Sequence, residues 1–115
     1  PNNLTGYRDR VGQTLTFTVT GSDRGSVWGS GIYTDDSALA VAAVHAGVVA
    51  VGQTADVQVQ ILPGQQSYTG SNANGVNTSN YGVWSGSYSF VSAPAAAAAA
   101  TAPAAAAPTA PSAGK

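Results

Sequence analysis

The segment that decides the fold spans Tyr33–Gly47 and reads YTDDSALAVAAVHAG. Its apolar residues recur at the three- and four-residue spacing of one helix face, at Leu39, Ala42, Ala43 and Ala46. Asp35 or Asp36 can cap this helix, because a carboxylate there accepts the amide hydrogens that the first turn leaves free. Gly47 follows the last turn, where a left-handed glycine commonly ends a helix. The sequence therefore predicts one short helix over 37–46.

Alternating apolar and polar residues on both sides of this helix predict β-strands. Residues 14–20 read TLTFTVT, with threonines on one face and Leu15, Phe17 and Val19 on the other. Three further strands and a loop are expected, the strands over 26–33, 55–61 and 83–91 and the loop over 70–81. Strands before and after a single helix indicate an α+β fold.

The composition divides the chain into two regions. Every Val, Ile, Leu, Phe, Trp and Tyr lies within residues 1–91, whereas residues 92–115 are mainly Ala and Pro. We expect a folded domain over 1–91 and an extended tail or linker over 92–115, because short Ala runs between prolines do not sustain a helix. Thr101, Thr109 and Ser112 in the tail suit O-glycosylation.

Charge and residue usage exclude several functions. Charged residues make up 8% of the chain and the net charge is −1, so no basic surface for nucleic acid or anionic lipid is predicted. Cysteine is absent and histidine occurs once, which excludes disulfides, thiolate metal sites and a cysteine nucleophile. We expect no cofactor, no metal and no enzymatic activity. The longest apolar run, 38–51, is too short to span a bilayer.

The helix and its neighbours carry a set of recognisable motifs. They comprise a Gly-rich strand, Tyr33, a Ser-rich helix start, the helix end AAVHAG, and further on VQVQILPG, YTGS, NGV and SYSF. Over roughly 12–91 these motifs resemble the LCCL domain family. The resemblance implies β-strands wrapped around a central helix, in a non-catalytic secreted or cell-surface module. It also implies lipopolysaccharide or other ligand binding for some members.

The chain departs from animal LCCL domains in its cysteines. The animal domains carry several, one of them in the helix where this chain has Ala40. The resemblance is therefore to a cysteine-free, bacterial-type member, which must fold through its packing or with a partner.

His45 is the obvious candidate for chemistry, because it lies inside the helix-end motif. A Ser37–His45–Asp36 triad is excluded, since Ser37 lies eight residues earlier on the same helix. That separation is about 12 Å along the axis at ~1.5 Å per residue. We predict instead a structural His45 whose ring nitrogens bond the backbone and hold the helix end against a strand. Tyr33, Ser37, His45 and Gly47 together form the candidate structural motif.

The remaining polar motifs give weaker signals. Asp35 and Asp36 could form an acid–base pair or half a metal site, but capping is favoured. Residues 72–75 resemble a calcium loop only faintly, because they offer neutral amides and no terminal Glu, so a turn is expected. Residues 29–31 lack the third glycine and the following helix of a nucleotide site.

Four aromatic residues are candidate contact residues, namely Trp28, Tyr68, Tyr81 and Trp84. Each tryptophan follows a valine, and adjacent strand residues face opposite sides, so one member of each pair is expected to be exposed. Exposed aromatic rings stack on sugars or on a neighbouring subunit, whereas ordinary core packing is the alternative.

The function predicted is a non-enzymatic extracellular structural module. It is expected to be a self-assembling cell-surface or filament subunit whose tail contacts its neighbours. The alternative is a module that binds carbohydrate or lipid headgroups, with the tail as a linker. A third reading is the accessory domain of a larger enzyme.

Overall fold

The computed structural model describes residues 2–91, so the predicted tail over 92–115, with its glycosylation candidates, lies outside the described residues. A 3-10 helix, one α-helix and seven strands follow one another in this part. Their bounds are Thr5–Arg10 for the 3-10 helix, Thr14–Thr20 (β1), Gly29–Ser30 (β2), Ile32–Thr34 (β3), Leu39–His45 (α1), Thr54–Pro63 (β4), Asn72–Ala73 (β5), Val76–Asn77 (β6) and Gly86–Phe90 (β7). The predicted α+β class is confirmed.

Five of the strands form one antiparallel sheet in the order β1-β4-β7-β3-β2, and β5 and β6 form a separate ribbon. β1 pairs with β4 along its whole length, from Thr14 opposite Gln60 to Thr20 opposite Thr54. The threonines of β1 are exposed and Val19 is buried, as the alternation predicts. Leu15 and Phe17 are half-buried rather than buried, because β1 is an edge strand with a neighbour on one side only.

The α-helix is enclosed on nearly all sides. Every residue of α1 is buried except Ala40, which is half-buried. Val41 and Val44, outside the predicted core face, are buried as well, whereas Ala46, predicted to face the core, is exposed. A helix that is apolar all round lies inside a domain rather than on its surface. The strands and loops therefore surround α1, as the family resemblance implies.

The predicted second strand is in fact two short strands joined by a reversal at Gly31. Gly31 has φ +77 and Gly29 has φ +102, a backbone region that other residues rarely adopt. The chain turns back so tightly that Gly29 lies opposite Tyr33. A Cβ atom at Gly29 would clash with the Ile32 carbonyl oxygen. The prediction of one strand over 26–33 is wrong because side-chain alternation does not reveal this reversal.

The predicted loop over 70–81 contains the β5–β6 hairpin. Its turn residues Asn74 and Gly75 have φ 54 and φ 81, the positive values that an Asn-Gly hairpin turn requires. The turn expected for 72–75 is therefore present, with a short strand on each side of it. β4 continues past the predicted end to Pro63, and β7 begins at Gly86 rather than at residue 83.

The start of α1 is held by backbone atoms, so the prediction of an Asp35 or Asp36 cap is wrong. The N-cap residue is Ala38, and no side chain caps the helix. The Leu39 amide donates instead to the Asn2 carbonyl over 2.8 Å, and the Ala38 amide to the Ser26 carbonyl over 2.9 Å. These acceptors come from distant parts of the chain, which a local capping pattern does not show.

Candidate functional site

His45 is buried at the end of α1, between β3 and the residue that precedes β5. Its Nδ1 is 2.9 Å from the Tyr33 hydroxyl, and its Nε2 is 3.3 Å from the Ser71 carbonyl oxygen and 3.1 Å from the Ser71 hydroxyl. A carbonyl only accepts, so Nε2 carries the hydrogen and Nδ1 accepts from the Tyr33 hydroxyl. We call these three residues the Tyr33–His45–Ser71 cluster.

The ionisation of this cluster is controlled by its burial. Burial lowers the pKa of His45, because the charged ring would lose its hydration, and the bond to Ser71 opposes this effect. Burial raises the pKa of Tyr33 for the same reason. Both groups are therefore neutral at pH 7, with both ring nitrogens of His45 engaged. Such a ring is suited to joining the helix end to β3, and its structural role stays a prediction.

Gly47 closes the C-terminal end of α1 and has φ +80. Its amide donates to the Val44 carbonyl over 2.9 Å, and the following amide donates to the Ala43 carbonyl over 3.0 Å. These two bonds are the pair that a left-handed glycine makes when it terminates a helix. The Asn74 side-chain amide also donates to the His45 carbonyl over 3.0 Å. The hairpin turn is thereby attached to the same helix end as the cluster.

Ser37 holds the turn that precedes α1. Its buried hydroxyl accepts from the Trp28 amide over 3.0 Å and lies 2.8 Å from the Thr34 hydroxyl. The Tyr88 hydroxyl donates to the Ser37 carbonyl over 3.1 Å. Among the described residues no hydrogen bond joins Ser37 to His45. Ser37 at the start of the family motif and His45 near its end therefore contact different parts of the fold.

Asp35 accepts three hydrogen bonds in the interior, although it was predicted to be a cap. It is 2% exposed, and Arg8 donates to it from Nε over 2.6 Å and from Nη2 over 3.1 Å. The Trp84 indole Nε1 donates to the same carboxylate over 2.7 Å. The hydrogen bond to Asp35 raises the pKa of Arg8 above its ordinary value. This ion pair attaches the 3-10 helix to the turn before α1 and to the segment before β7.

Asp36 is the other carboxylate considered for an acid–base pair or half a metal site. It is half-buried, and its Oδ1 atom is buried without a hydrogen-bond partner among the described residues. The same part of the chain contains no group of three or more His, Cys, Asp or Glu residues that could hold a metal ion. The carboxylate of Asp35 is meanwhile occupied by a guanidinium and an indole.

Trp28, Tyr81 and Trp84 form a row of rings on the surface, which we call the aromatic row. The Tyr81 ring packs in T-shaped geometry against both tryptophans, with its centre 6.3 Å from that of Trp28 and 5.5 Å from that of Trp84. Tyr81 is 42% exposed, whereas the two tryptophans are half-buried. The Arg8 guanidinium lies 5.6 Å from the centre of the Trp84 ring. Tyr81 is therefore the member of the row that is most available to a ligand.

Tyr68 does not belong to this surface, which corrects its prediction as a contact residue. It is 4% exposed, and its hydroxyl lies 2.6 Å from the Ser87 hydroxyl and accepts from the Gln65 amide over 3.1 Å. Its ring is thus part of the interior. Of the two valines that precede the tryptophans, Val27 is buried and Val83 is 69% exposed.

β1 forms one edge of the five-stranded sheet, and its outer side is open. Within a strand, the amide and carbonyl groups of alternate residues point to the same side. The Ile61 amide of β4 donates to the carbonyl of Gln13, the residue before β1. Because alternate residues point the same way, the odd-numbered residues of β1 direct their backbone groups toward β4. The backbone groups that point outward are those of Thr14, Thr16, Thr18 and Thr20, and they have no partner among the described residues. We call these groups the β1 edge.

A shallow groove of about 430 Å³ lies beside the C-terminal end of α1. Its lining is mostly apolar, with Val44, Val48, Val49 and Val51 beside the amides Gln53 and Asn74. Gln53 accepts from the Ala50 amide over 2.9 Å, and Asn74 donates to the His45 carbonyl. Both polar side chains are therefore engaged in holding the fold.

The arrangement of one buried helix together with a five-stranded sheet agrees with the family that the motifs suggest. The family profile described as LCCL domain matches residues 12–88, more than half of the chain. This chain belongs to the LCCL family. The matched residues include the whole Tyr33–His45–Ser71 cluster and the β1 edge, and they leave out Arg8 and the 3-10 helix.

Individual LCCL proteins match shorter parts of the chain. Cochlin from Cavia porcellus is 36% identical over 63 residues, which is 55% of this chain and 11% of that protein. Human "Cysteine-rich secretory protein LCCL domain-containing 2" is 39% identical over 57 residues, which is 50% of this chain and 12% of that protein. The chain thus covers about a ninth of the length of these relatives.

Several features of the candidate site in this LCCL domain were not predicted from the sequence. Arg8 lies before the family match and in no motif, so nothing in the sequence pointed to its pairing with Asp35. Ser71 was part of the YTGS motif, but its contact with His45 depends on how the hairpin folds back. The alternation over 14–20 predicted β1, but alternation does not distinguish an edge strand from a central one.

The described part of the chain contains no helix long and apolar enough to cross a membrane.

Proposed function

We propose that this LCCL domain is a non-enzymatic extracellular structural module that associates with further copies of itself. The β1 edge is the observation that supports this most directly. Its strand contains no charged residue, no proline and no glycine, the devices by which sheet edges are commonly protected from pairing. A strand of β-branched and aromatic residues with free backbone groups favours the addition of another strand.

The engagement of the polar groups in the family motif supports a non-enzymatic role. Both ring nitrogens of His45 are bonded within the domain, and the hydroxyl of Ser37 is bonded to neighbours of its own. A general base needs a free lone pair within reach of its substrate, and a nucleophile needs such a base. Neither condition is met by these two residues.

Family membership supports the extracellular setting. A human relative is called a secretory protein, and that name applies to a chain much longer than this one. For this domain we propose the same side of the membrane, either at the cell surface or released from it.

We further propose that residues 92–115 supply a second contact between copies. They contain no large apolar side chain and so have little to add to the core. A chain spaced by prolines loses less entropy than a Gly-rich one when it docks along a neighbour. Such a contact would extend an assembly beyond the pair that a single sheet edge can form.

Light scattering and electron microscopy of the full chain, at increasing concentration, test the self-association. Growth of the particle mass with concentration supports the proposal, and a monomer at every concentration overturns it. A version ending at Val91 tests the tail. If it forms the same particles as the full chain, the tail contact is rejected while association of the domain stands.

Carbohydrate binding is a second candidate function, and the aromatic row favours it. The exposed Tyr81 ring packs in T-shaped geometry against two tryptophans, so it loses little freedom on stacking against a sugar. A glycan array compares the full chain with Tyr81→Ala and with Val83→Ala, a control at a neighbouring exposed position. Binding that Tyr81→Ala abolishes and Val83→Ala retains supports this function. Binding that neither variant alters places any ligand elsewhere, and vesicles without sugars test the lipid-headgroup alternative.

A further inference from the structure

The residues of β1 are symmetric about their centre. Around Phe17 the strand reads Thr-Val-Thr in one direction and Thr-Leu-Thr in the other. An antiparallel copy centred on Phe17 would therefore place threonine opposite threonine and aliphatic residue opposite aliphatic residue. We propose that two copies of this chain pair through their β1 edges in this register, about a two-fold axis at Phe17. The inference rests on the proposed self-association and specifies its contact.

The direction of the backbone groups fits this register. Thr16 would lie opposite Thr18 of the second copy, and Thr14 opposite Thr20. All four residues point their amide and carbonyl groups outward, so each opposed pair can exchange two hydrogen bonds. A register shifted by one residue would set an outward-pointing residue opposite an inward-pointing one, and those bonds would not form.

The side chains fit the same pairing. Phe17 is half-buried in the monomer, where its ring lies 5.4 Å from that of Tyr7, and Leu15 is also half-buried. In the pair Phe17 would contact its own counterpart, and Leu15 would lie opposite Val19, so the edge of the core would be covered further. The strand carries no charge, and no like charges are therefore brought together along it.

The contact closes on itself. A two-fold pairing uses the same surface on both copies, so it gives a dimer with one continuous sheet and does not propagate. The opposite edge of the sheet is β2, which has only two residues, Gly29 and Ser30. A strand that short offers little for a further copy to pair with. The β1 edge therefore makes dimers, and longer assemblies would need another contact.

Two double variants of the full chain test the edge while differing at one position only. T16K/T18K sets lysines opposite lysines across the proposed contact, and T16E/T18K sets glutamate opposite lysine. Both sites are exposed, and a lysine at position 18 lies beside Asp56, whose carboxylate accepts from the Thr18 hydroxyl over 2.6 Å. Analytical ultracentrifugation should show a dimer dissociation constant about tenfold or more higher for T16K/T18K than for T16E/T18K.

Single cysteines test the register, because the chain has no cysteine of its own. Phe17→Cys would place two thiols opposite each other at a Cα separation of about 4.5 Å, within the range of a disulfide. Leu15→Cys is the matched control, since Leu15 would face Val19 of the second copy. Under oxidation the first variant should form a covalent dimer and the second should not.

The outcomes separate this inference from the function it rests on. A full chain that stays monomeric overturns both. If the variants T16K/T18K and T16E/T18K associate equally well, pairing through the β1 edge is overturned. Association through another surface then stands. Cross-linking of Leu15→Cys in place of Phe17→Cys overturns the register.

Discussion

The Tyr33–His45–Ser71 cluster and the β1 edge treat their polar groups in opposite ways. In the cluster both ring nitrogens and the tyrosine hydroxyl are hydrogen-bonded inside the domain. Along the β1 edge the backbone groups of four threonines face solvent. A buried polar group without a partner costs about 1–3 kcal/mol, whereas an exposed one bonds to water. The cluster therefore tolerates little change, and the edge is free to take a partner.

The most recognisable residues of the family motif are consequently the least available to a ligand. Tyr33, Ser37 and His45 are buried, and their side chains are hydrogen-bonded inside the domain rather than to solvent. Tyr81 in the aromatic row and the β1 edge are, by contrast, open to contact. Substitutions inside the domain should change its stability, and substitutions on the open surface should change what it binds.

The largest effect is expected at the ion pair between Arg8 and Asp35. Arg8→Ala leaves the buried Asp35 carboxylate with the Trp84 indole as its remaining side-chain donor. We expect the free energy of unfolding to fall by about 2–3 kcal/mol, measured by urea denaturation. Arg8→Lys keeps the charge but not the two-pronged geometry. Its free energy of unfolding should therefore lie between those of Arg8→Ala and the parent chain. Equal stability of Arg8→Ala and the parent chain would show that the pair contributes nothing.

A slightly smaller effect is expected at the centre of the cluster. His45→Ala removes both ring bonds and leaves the buried Tyr33 hydroxyl without its acceptor. The free energy of unfolding should fall by about 1–3 kcal/mol, seen as a lower melting temperature. Tyr33→Phe removes one bond of the same pair and should cost less. Unchanged stability of His45→Ala together with the loss of a measurable activity would contradict the structural role.

Acidification should weaken the fold through the same histidine. Burial lowers the pKa of His45 below the value of about 6.5 that it has when unfolded. As the pH falls below 6.5 the unfolded chain takes up a proton that the folded chain does not, so stability is lost by up to about 1.4 kcal/mol per pH unit. This loss ends at the folded pKa. Denaturation series from pH 7.5 to 5 measure it, and His45→Gln should show a flatter profile over that range.

The smallest effect is expected at the β1 edge of the monomer. Thr16→Ala alters an exposed side chain and leaves the outward backbone groups in place. The free energy of unfolding, measured at a concentration where the chain is monomeric, should change by less than about 0.5 kcal/mol. A loss comparable with that of His45→Ala would mean that the edge is already covered within the monomer.

The prediction of this fold from sequence succeeded where neighbouring residues along the chain decide the structure. Alternation predicted β1 with the bounds that the structure shows, and Gly47 was placed correctly after the helix because a left-handed residue there follows from the end of the apolar pattern. It failed at Asp35, whose local setting suggests a cap. The carboxylate is taken by Arg8, a residue far away in sequence.

The sequence by itself determined the α+β class, the family and the short central helix, because these depend on periodicities of two and of about 3.6 residues and on motifs read in order. Only the tertiary structure decided that Asp35 pairs with Arg8, that Tyr68 is interior and that β1 lies at the edge. Hydrogen-bond partners and strand order depend on which segments meet in space. That is a property of the whole packed chain, and a single strand reads the same at the edge of a sheet as in its centre.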